Sequence, residues 1–278
     1  MSGETILGRR PVEILARAAL RAATALVLAY IAMPLALVVW LSFMAGEIMV
    51  VPPEGYSLRW YGVAWNQDQL RSGFVTSLWV AAVATTLGLL VTVPASFALA
   101  RGRFPGREAV LQLLMSPLIV PGIVIGASIY VFLVQVEIET GLPLAGSAWG
   151  IVVAHLLLTV PWCVRLVTAN LVGVNRSVEE AALSLGASPL VTALTVTLPM
   201  IWPGLVAAAV FGFVVSFGNI EVSLFLVAPG QTTLPIAILQ YLQWKIDPTI
   251  AAVSVAQIVL IGAALVATSR ITNLGKVV

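Results

Sequence analysis

The chain has 278 residues, of which 60% are hydrophobic and 9% charged, and its formal net charge is +2. Soluble domains carry roughly 25% charged residues, and so few cannot cover the surface that a water-soluble fold of this size exposes. A soluble enzyme, a disordered tail, a collagen-like repeat and a nucleic-acid binder are therefore excluded, the last because so small a net charge offers phosphates no basic field.

Six apolar stretches approach or exceed the about 20 residues needed to cross a hydrocarbon core of about 30 Å, and in lipid such stretches must be helices. The spacing predicts spans over Ala22–Met44, Phe74–Ala100, Ala109–Val134, Ala148–Leu171, Ile201–Val227 and Ile250–Thr268. This is an all-α, multi-pass membrane protein in which a segment, 1–21, precedes a transmembrane domain, 22–278. In that segment Arg9-Arg10 is followed by Pro11-Val12-Glu13, which is not the apolar entry of a twin-arginine signal. The first apolar run is too long for a signal-peptide core and reads as an uncleaved anchor.

Arg9, Arg10, Arg17 and Arg21 lie ahead of the first span, and Arg101, Arg103 and Arg107 lie between the second and third. Arg176 follows the fourth, and Arg270 and Lys276 follow the sixth, so ten of the fourteen basic residues share one side. By the positive-inside rule both termini are cytoplasmic. Pro34, Pro94, Pro117, Pro121 and Pro161 fall inside predicted spans and read as the prolines that membrane helices tolerate. Trp60, Trp65, Trp149 and Trp244 lie near predicted outer boundaries, where an aromatic belt is expected.

In the fourth span His155 is the one histidine, so no His-based metal site is available, and it is expected to hydrogen-bond a neighbouring helix. Cys163, the single cysteine, excludes a disulfide framework. Arg165 is expected to snorkel toward the cytoplasmic end.

The stretch 175–199 between the fourth and fifth spans is polar and has internal grammar. Ser177 with Glu180 three residues later forms a capping box, predicting a short helix from Val178. Gly186 is its C-terminal stop, and Ser188-Pro189 opens a second short helix that runs toward Leu198-Pro199. In the fifth span, Asn219, Glu221 and Ser223 are polar at lipid depth and are candidates to line a solute path. Asn219 and Ser223, four apart, are expected on one helical face, with Glu221 on another.

The run Glu180-Ala181-Ala182, three residues, Gly186, nine residues, Val196-Thr197-Leu198-Pro199 resembles the EAA motif of binding-protein-dependent ABC importer permeases, with Val196 where the family usually has isoleucine. The resemblance implies a type I permease bundle of six helices in the bacterial inner membrane, with segment 175–199 as a cytoplasmic coupling helix seated on a separate ATPase. In that reading Ser177, Glu180, Ala181, Ala182, Gly186, Leu198 and Pro199 form the coupling site, with Ala181 and Ala182 allowing close approach and Gly186 setting the bend. The implied partners are a sister permease, two ATPase subunits that carry MgATP, and a periplasmic solute-binding protein.

This chain has no phosphate-binding loop of its own, since Gly275-Lys276 lacks the upstream glycine, so no cofactor or catalytic residue is expected on it. Pro52–Tyr61, Arg101–Arg107, Ser116-Pro117, Pro229–Pro235 and Ile246–Ile250 are similar to the spermidine/putrescine subgroup, second-permease type. Permeases of that subgroup tend to carry an acidic pair near Gly218-Asn219, which is replaced here, and Glu221 is the candidate to take over its role. A stand-alone secondary transporter is the competing class, and it would need no ATPase dock. An intramembrane hydrolase built on Ser147 and His155 lacks evident activating geometry.

Overall fold

The computed structural model describes residues 9–272, and they are helical with short connections. Lys276 and the Gly275-Lys276 pair lie outside the described residues. Five helices among those described are long and apolar enough to span a membrane: Glu13–Leu41, Asp68–Arg101, Gly122–Thr140, Ala148–Gly173 and Thr249–Arg270. Pro189–Met200 with Trp202–Phe217, bent by 72° at Ile201, makes the sixth when counted as one span.

The chain divides into two compact units. The first holds the chain up to Ala64 together with Ile246–Ala256. Its α1 (Arg9–Leu41) starts well ahead of the predicted span, so residues 9–21 are helical and continuous with it. The membrane-length window of α1 holds no buried residue, and Pro34 sits inside the helix without a break. The loop after α1 folds back on the helix end: Ala45 N donates to Gly55 O at 2.9 Å and Ser57 N to Phe43 O at 2.7 Å. In α2 (Arg59–Asn66), Trp60 corrects the aromatic-belt expectation. It is only 2% exposed and its indole Nε1 donates to Met44 O at 2.6 Å, so the ring is a structural plug. Trp65, Trp149 and Trp244 are exposed as a belt requires.

The second unit, Trp65–Lys245 with the chain from Gln257 onward, is built on α3 (Asp68–Arg101). Its buried face carries Gly73, Ser77, Ala81, Ala84, Gly88, Thr92 and Ser96, small residues three or four apart that let a neighbouring helix approach closely. The third predicted span is corrected. Its first half is a separate helix, α4 (Arg107–Met115), and the spanning helix is α5 (Gly122–Thr140). Pro117 lies in a 3-10 turn over Ser116–Leu118. Pro121, at the N-cap of α5, has no N–H to carry the helix through and disfavours helical backbone at Val120.

The fourth span, α6 (Ala148–Gly173), keeps Pro161 inside a continuous helix and packs chiefly on α3. After α7 (Arg176–Ser184) and α8 (Pro189–Thr192) comes a π-turn over Ala193–Thr197 and then α9 (Leu198–Met200). The fifth predicted span is also corrected. Its helix, α10 (Trp202–Phe217), stops at Gly218, and chain follows without helix until α11 (Ser223–Leu226). A 16-residue helix is about 24 Å long, short of the hydrocarbon thickness by itself.

The unit continues through α12 (Leu234–Leu242), and α13 (Thr249–Thr272) is the last helix described. Two apolar clusters hold it. Val80, Ala84, Ile125, Leu133, Ile151 and Val222 pack in one. Cys163, Val167, Leu171, Ile201, Leu205 and Ala208 pack in the other, which places the lone thiol among apolar side chains. Arg165 is exposed on α6, and among the described residues it meets no partner.

Candidate functional site

Two places collect the polar residues singled out from the sequence. The first is the segment from Asn175 to Pro199. The N-cap of α7 is Asn175, whose Oδ1 accepts from Ser177 N at 3.1 Å, so the predicted Ser177–Glu180 capping box is corrected by two residues. Asn175 takes the extended conformation a cap needs (φ −66°, ψ 119°), and the helix starts at Arg176 instead of Val178. Ser177 is exposed on the first turn.

The helix ends as the glycine predicts. Gly186 has φ +93°, Gly186 N donates to Leu183 O at 3.0 Å, and Ala187 N to Ala182 O at 3.1 Å. These are the two bonds of a Schellman turn, and the left-handed backbone they require is one that only glycine adopts at little cost. Ser188 then caps α8, its hydroxyl accepting from Val191 N at 3.3 Å, with Pro189 at the first helical position.

The surface this produces is mixed. Glu180 and Ala181 are exposed and Ala182 is half-buried. No partner among the described residues meets the Glu180 carboxylate. Leu185 is 89% exposed, and Leu183 and Leu190 are exposed beside it. Leu198 packs against the cluster around Cys163, and Pro199 is exposed.

Glu179, which sequence reasoning passed over, faces inward. Its Oε2 lies 3.0 Å from Arg101 Nε, and its Oε1 accepts from Arg101 Nη2 at 3.1 Å and from the Thr197 hydroxyl at 2.9 Å. A cleft of about 350 Å³ opens beside this pair, lined by Phe97, Arg176, Glu180, Pro189 and Thr192 among others.

The second place is the break between α10 and α11. Here the structure separates the three candidates. Asn219 is half-buried and its Oδ1 accepts from Val222 N at 3.0 Å, closing the turn. Ser223 is fully buried, and its hydroxyl donates to Asn219 O at 2.9 Å. Glu221 alone is exposed. The expected shared helical face of Asn219 and Ser223 does not form, because the helix has already ended at Phe217.

His155 holds this break from α6, as a hydrogen bond to a neighbouring helix requires. Its Nε2 is 3.0 Å from Ser223 Oγ and its Nδ1 is 2.8 Å from Ser216 Oγ. The single Ser223 proton is spent on Asn219 O, so Nε2–H donates to Ser223 and Nδ1 accepts from Ser216. His155→Ala leaves the Ser216 hydroxyl and the second Ser223 lone pair unsatisfied in a buried setting. The expected cost is on the order of 2 kcal/mol, read as a lower thermal midpoint of the detergent-purified chain.

The other side of the break is α5. An added side-chain carbon at Gly122 would meet the Cβ of Glu221 at 3.0 Å, and one at Gly126 would meet the Val222 Cα at 3.0 Å. The Gly122-x-x-x-Gly126 spacing is the small-residue signal that predicts this close approach, and it stood unread in the sequence. Far from the Glu179 pair, at the start of α3, a second and polar cleft of about 710 Å³ is lined by Asp68, Gln69, Arg71, Pro229, Thr232 and Gln240.

Among known proteins, residues 92–274 match the family described as the binding-protein-dependent transport system inner membrane component. The chain is 30% identical over 222 residues to the putrescine transport system permease protein PotI of Escherichia coli (strain K12), a match covering 80% of this chain and 79% of that protein. It is 29% identical over 220 residues to the spermidine/putrescine transport system permease protein PotC of Haemophilus influenzae, covering 79% and 83%. In fold it is similar to a bacterial ABC transporter involved in the import of the acidic polysaccharide alginate, with a TM-score of 0.70, 16% identity, and 97% and 99% of the two chains covered.

Proposed function

The chain belongs to the family of binding-protein-dependent transport system inner membrane components; it is a non-catalytic, membrane-spanning permease subunit of an ATP-driven importer, and we propose that it forms half of the pathway for a polyamine or other amine-bearing solute. Its partners in this reading are a sister permease, two ATPase subunits that hold MgATP, and a periplasmic binding protein that delivers the solute. The complex sits in the bacterial inner membrane, with both termini and the Asn175–Pro199 segment on the cytoplasmic side.

The exposed helix α7, closed by Gly186, is the observation that carries the reading. It offers an outside subunit an unengaged carboxylate at Glu180, small residues at Ala181 and Ala182 that permit close approach, and an apolar side chain at Leu185 that is 89% exposed. Such a surface, rimmed by charge and centred on small and apolar groups, suits a groove on a partner protein. Leu198 and Pro199 link it to the bend at Ile201, so motion of α7 is passed to the fifth span.

The solute class rests on the named transport activities of the relatives and on Glu221. An exposed carboxylate beside Asn219, at a helix break, is a suitable acceptor for an ammonium group. Ser223 acts from behind, fixing Asn219 O and, through His155, the turn itself.

The test is reconstitution of the complex with its ATPases and ATPase assays with the binding protein loaded in turn with putrescine, spermidine and a neutral amino acid. Stimulation of several-fold by the polyamine-loaded forms is expected. Stimulation confined to the amino acid would remove the polyamine reading, and failure of any ATPase to co-purify with the intact chain would remove the coupling assignment of α7.

A further inference from the structure

The two neighbouring acids of α7 differ in exposure. Glu180 is exposed, whereas the side chain of Glu179 is 15% exposed and that of its partner Arg101 is 19%. Arg101 is the last residue of α3, Glu179 stands in the first turn of α7, and Thr197 ends the π-turn that leads into α9 and the bend. One carboxylate of α7 thus takes bonds from two other elements, through Arg101 and Thr197.

A second crossing runs beside it. Arg176 Nη2 of α7 donates to Ala100 O at 3.1 Å, and Arg101 Nη2 reaches Val174 O at 3.4 Å. Arg107 Nε donates to Leu99 O at 2.6 Å, so two of the carbonyls that α3 leaves open at its C-terminus, those of Leu99 and Ala100, are met by arginines. A carboxylate held by two guanidinium nitrogens and a hydroxyl is a directional anchor, and its partial burial shields it from salt.

We propose that Glu179 is the joint that fastens α7 to α3 and to the π-turn, so that displacement of α7 moves those elements as one body. The proposal rests on the reading of α7 as the ATPase-coupling helix and assigns Glu179 a positioning role distinct from docking. A helix pushed by an outside subunit delivers motion only if it is tied to what must move, and the bonds from Arg101 and Thr197 are the ties. The π-turn supports this assignment. Its five residues are wound more widely than an α-helix, and the residue that closes it is bonded to Glu179, so the turn is fastened to α7 where its own winding is loosest. From Arg101, α3 runs 34 residues, about 51 Å, to Asp68 at the polar cleft, so a tie at one end acts on the other.

The test uses the whole complex, with its ATPases and binding protein, in proteoliposomes. Two quantities are read: ATPase subunits retained per complex, and solute molecules imported per ATP hydrolysed. Glu179→Gln is expected to retain the ATPase at wild-type stoichiometry while the import-to-hydrolysis ratio falls at least tenfold. Thr197→Val removes one bond from the same carboxylate, and the ratio is expected to fall about threefold; it carries the test should the first variant not assemble. Glu180→Gln is expected to lower ATPase retention instead. A wild-type ratio in both Glu179→Gln and Thr197→Val overturns the proposal, and so does loss of ATPase from Glu179→Gln to the extent seen for Glu180→Gln. An unaltered complex that retains no ATPase at all fails on the coupling-helix reading itself, a result distinct from either.

Discussion

Replacing Gly186 with valine is expected to abolish solute import while the chain remains inserted in the membrane. The residue has φ +93°, and nothing lies within 4 Å of where a side chain would begin, so the effect is one of backbone conformation and not of local crowding. A left-handed backbone costs a residue with a Cβ roughly 1–2 kcal/mol, and a β-branched residue stands at or above the upper end. A cost of about 2 kcal/mol lowers the population of this turn roughly thirtyfold. What replaces it loses the bonds from Gly186 N to Leu183 O and from Ala187 N to Ala182 O, and with them the direction in which α8 leaves α7.

A graded series makes the cause measurable. Gly186→Asn, whose side chain tolerates this region, is expected to keep most import; Gly186→Ala is expected to keep less, and Gly186→Val almost none. The measurements are import into vesicles and the amount of complex recovered from the membrane. Equal loss in the asparagine and valine variants would mean that an outside surface excludes any side chain there, and the conformational account would fall.

The sequence was readable wherever structure follows from nearby residues or from bulk transfer into lipid. Apolar length alone located the regions of the five spanning helices and of the bent pair that makes a sixth, because crossing the hydrocarbon core takes about 20 apolar residues whose backbone bonds close within the helix. Ser188, Pro189 and Gly186 were readable because caps and left-handed turns are decided within three or four residues. Ser177 was misread for a related reason: Asn175 is an equally good cap two residues earlier, and local preference does not separate them.

The span end at Pro121 escaped because hydropathy does not register backbone donors, which is what prolines remove. Trp60 read as an interfacial ring since its sequence neighbours are those of a boundary, while its burial comes from the folded-back chain around Met44. Glu179 and Glu180 present the same chemistry one residue apart on a helix. Which of them turns inward is decided by Arg101, 78 residues away, and nothing near them in sequence records it.

Gly126→Val is expected to be as damaging as any change near Glu221, for a reason that separates it from Gly122→Ala. At Gly126 an added carbon would meet Val222 Cα at 3.0 Å and Val222 O at 3.1 Å, and backbone atoms have no rotamer to escape into. Overpacking of this kind costs typically about 1–3 kcal/mol, and here it also forces α11 away from α5 and with it the turn that presents Glu221. At Gly122 the nearest atoms in the way belong to the carboxyl group of Glu221, which can swing aside, leaving only its Cβ at 3.0 Å to give slightly. Gly122→Ala is therefore expected to preserve thermal stability to within about 1 kcal/mol while displacing the carboxylate, so import falls more than stability does.

The pair of effects can be set apart by a double-mutant cycle. Combined with Glu221→Ala, Gly122→Ala should cost less stability than it does alone, because the carboxyl group in its way is gone and only the Cβ contact at 3.0 Å remains. Combined with the same change, Gly126→Val should cost as much as it does alone, because its obstruction is the main chain of Val222. Thermal midpoints of the four variants in detergent measure the coupling term, and a coupling of zero between Gly122 and Glu221 would show that the two do not touch in the working protein. Import by the single Glu221→Ala variant completes the argument. If the carboxylate meets the solute, polyamine-stimulated transport drops at least tenfold at unchanged stability, whereas wild-type import would return Glu221 to a packing role over Gly122.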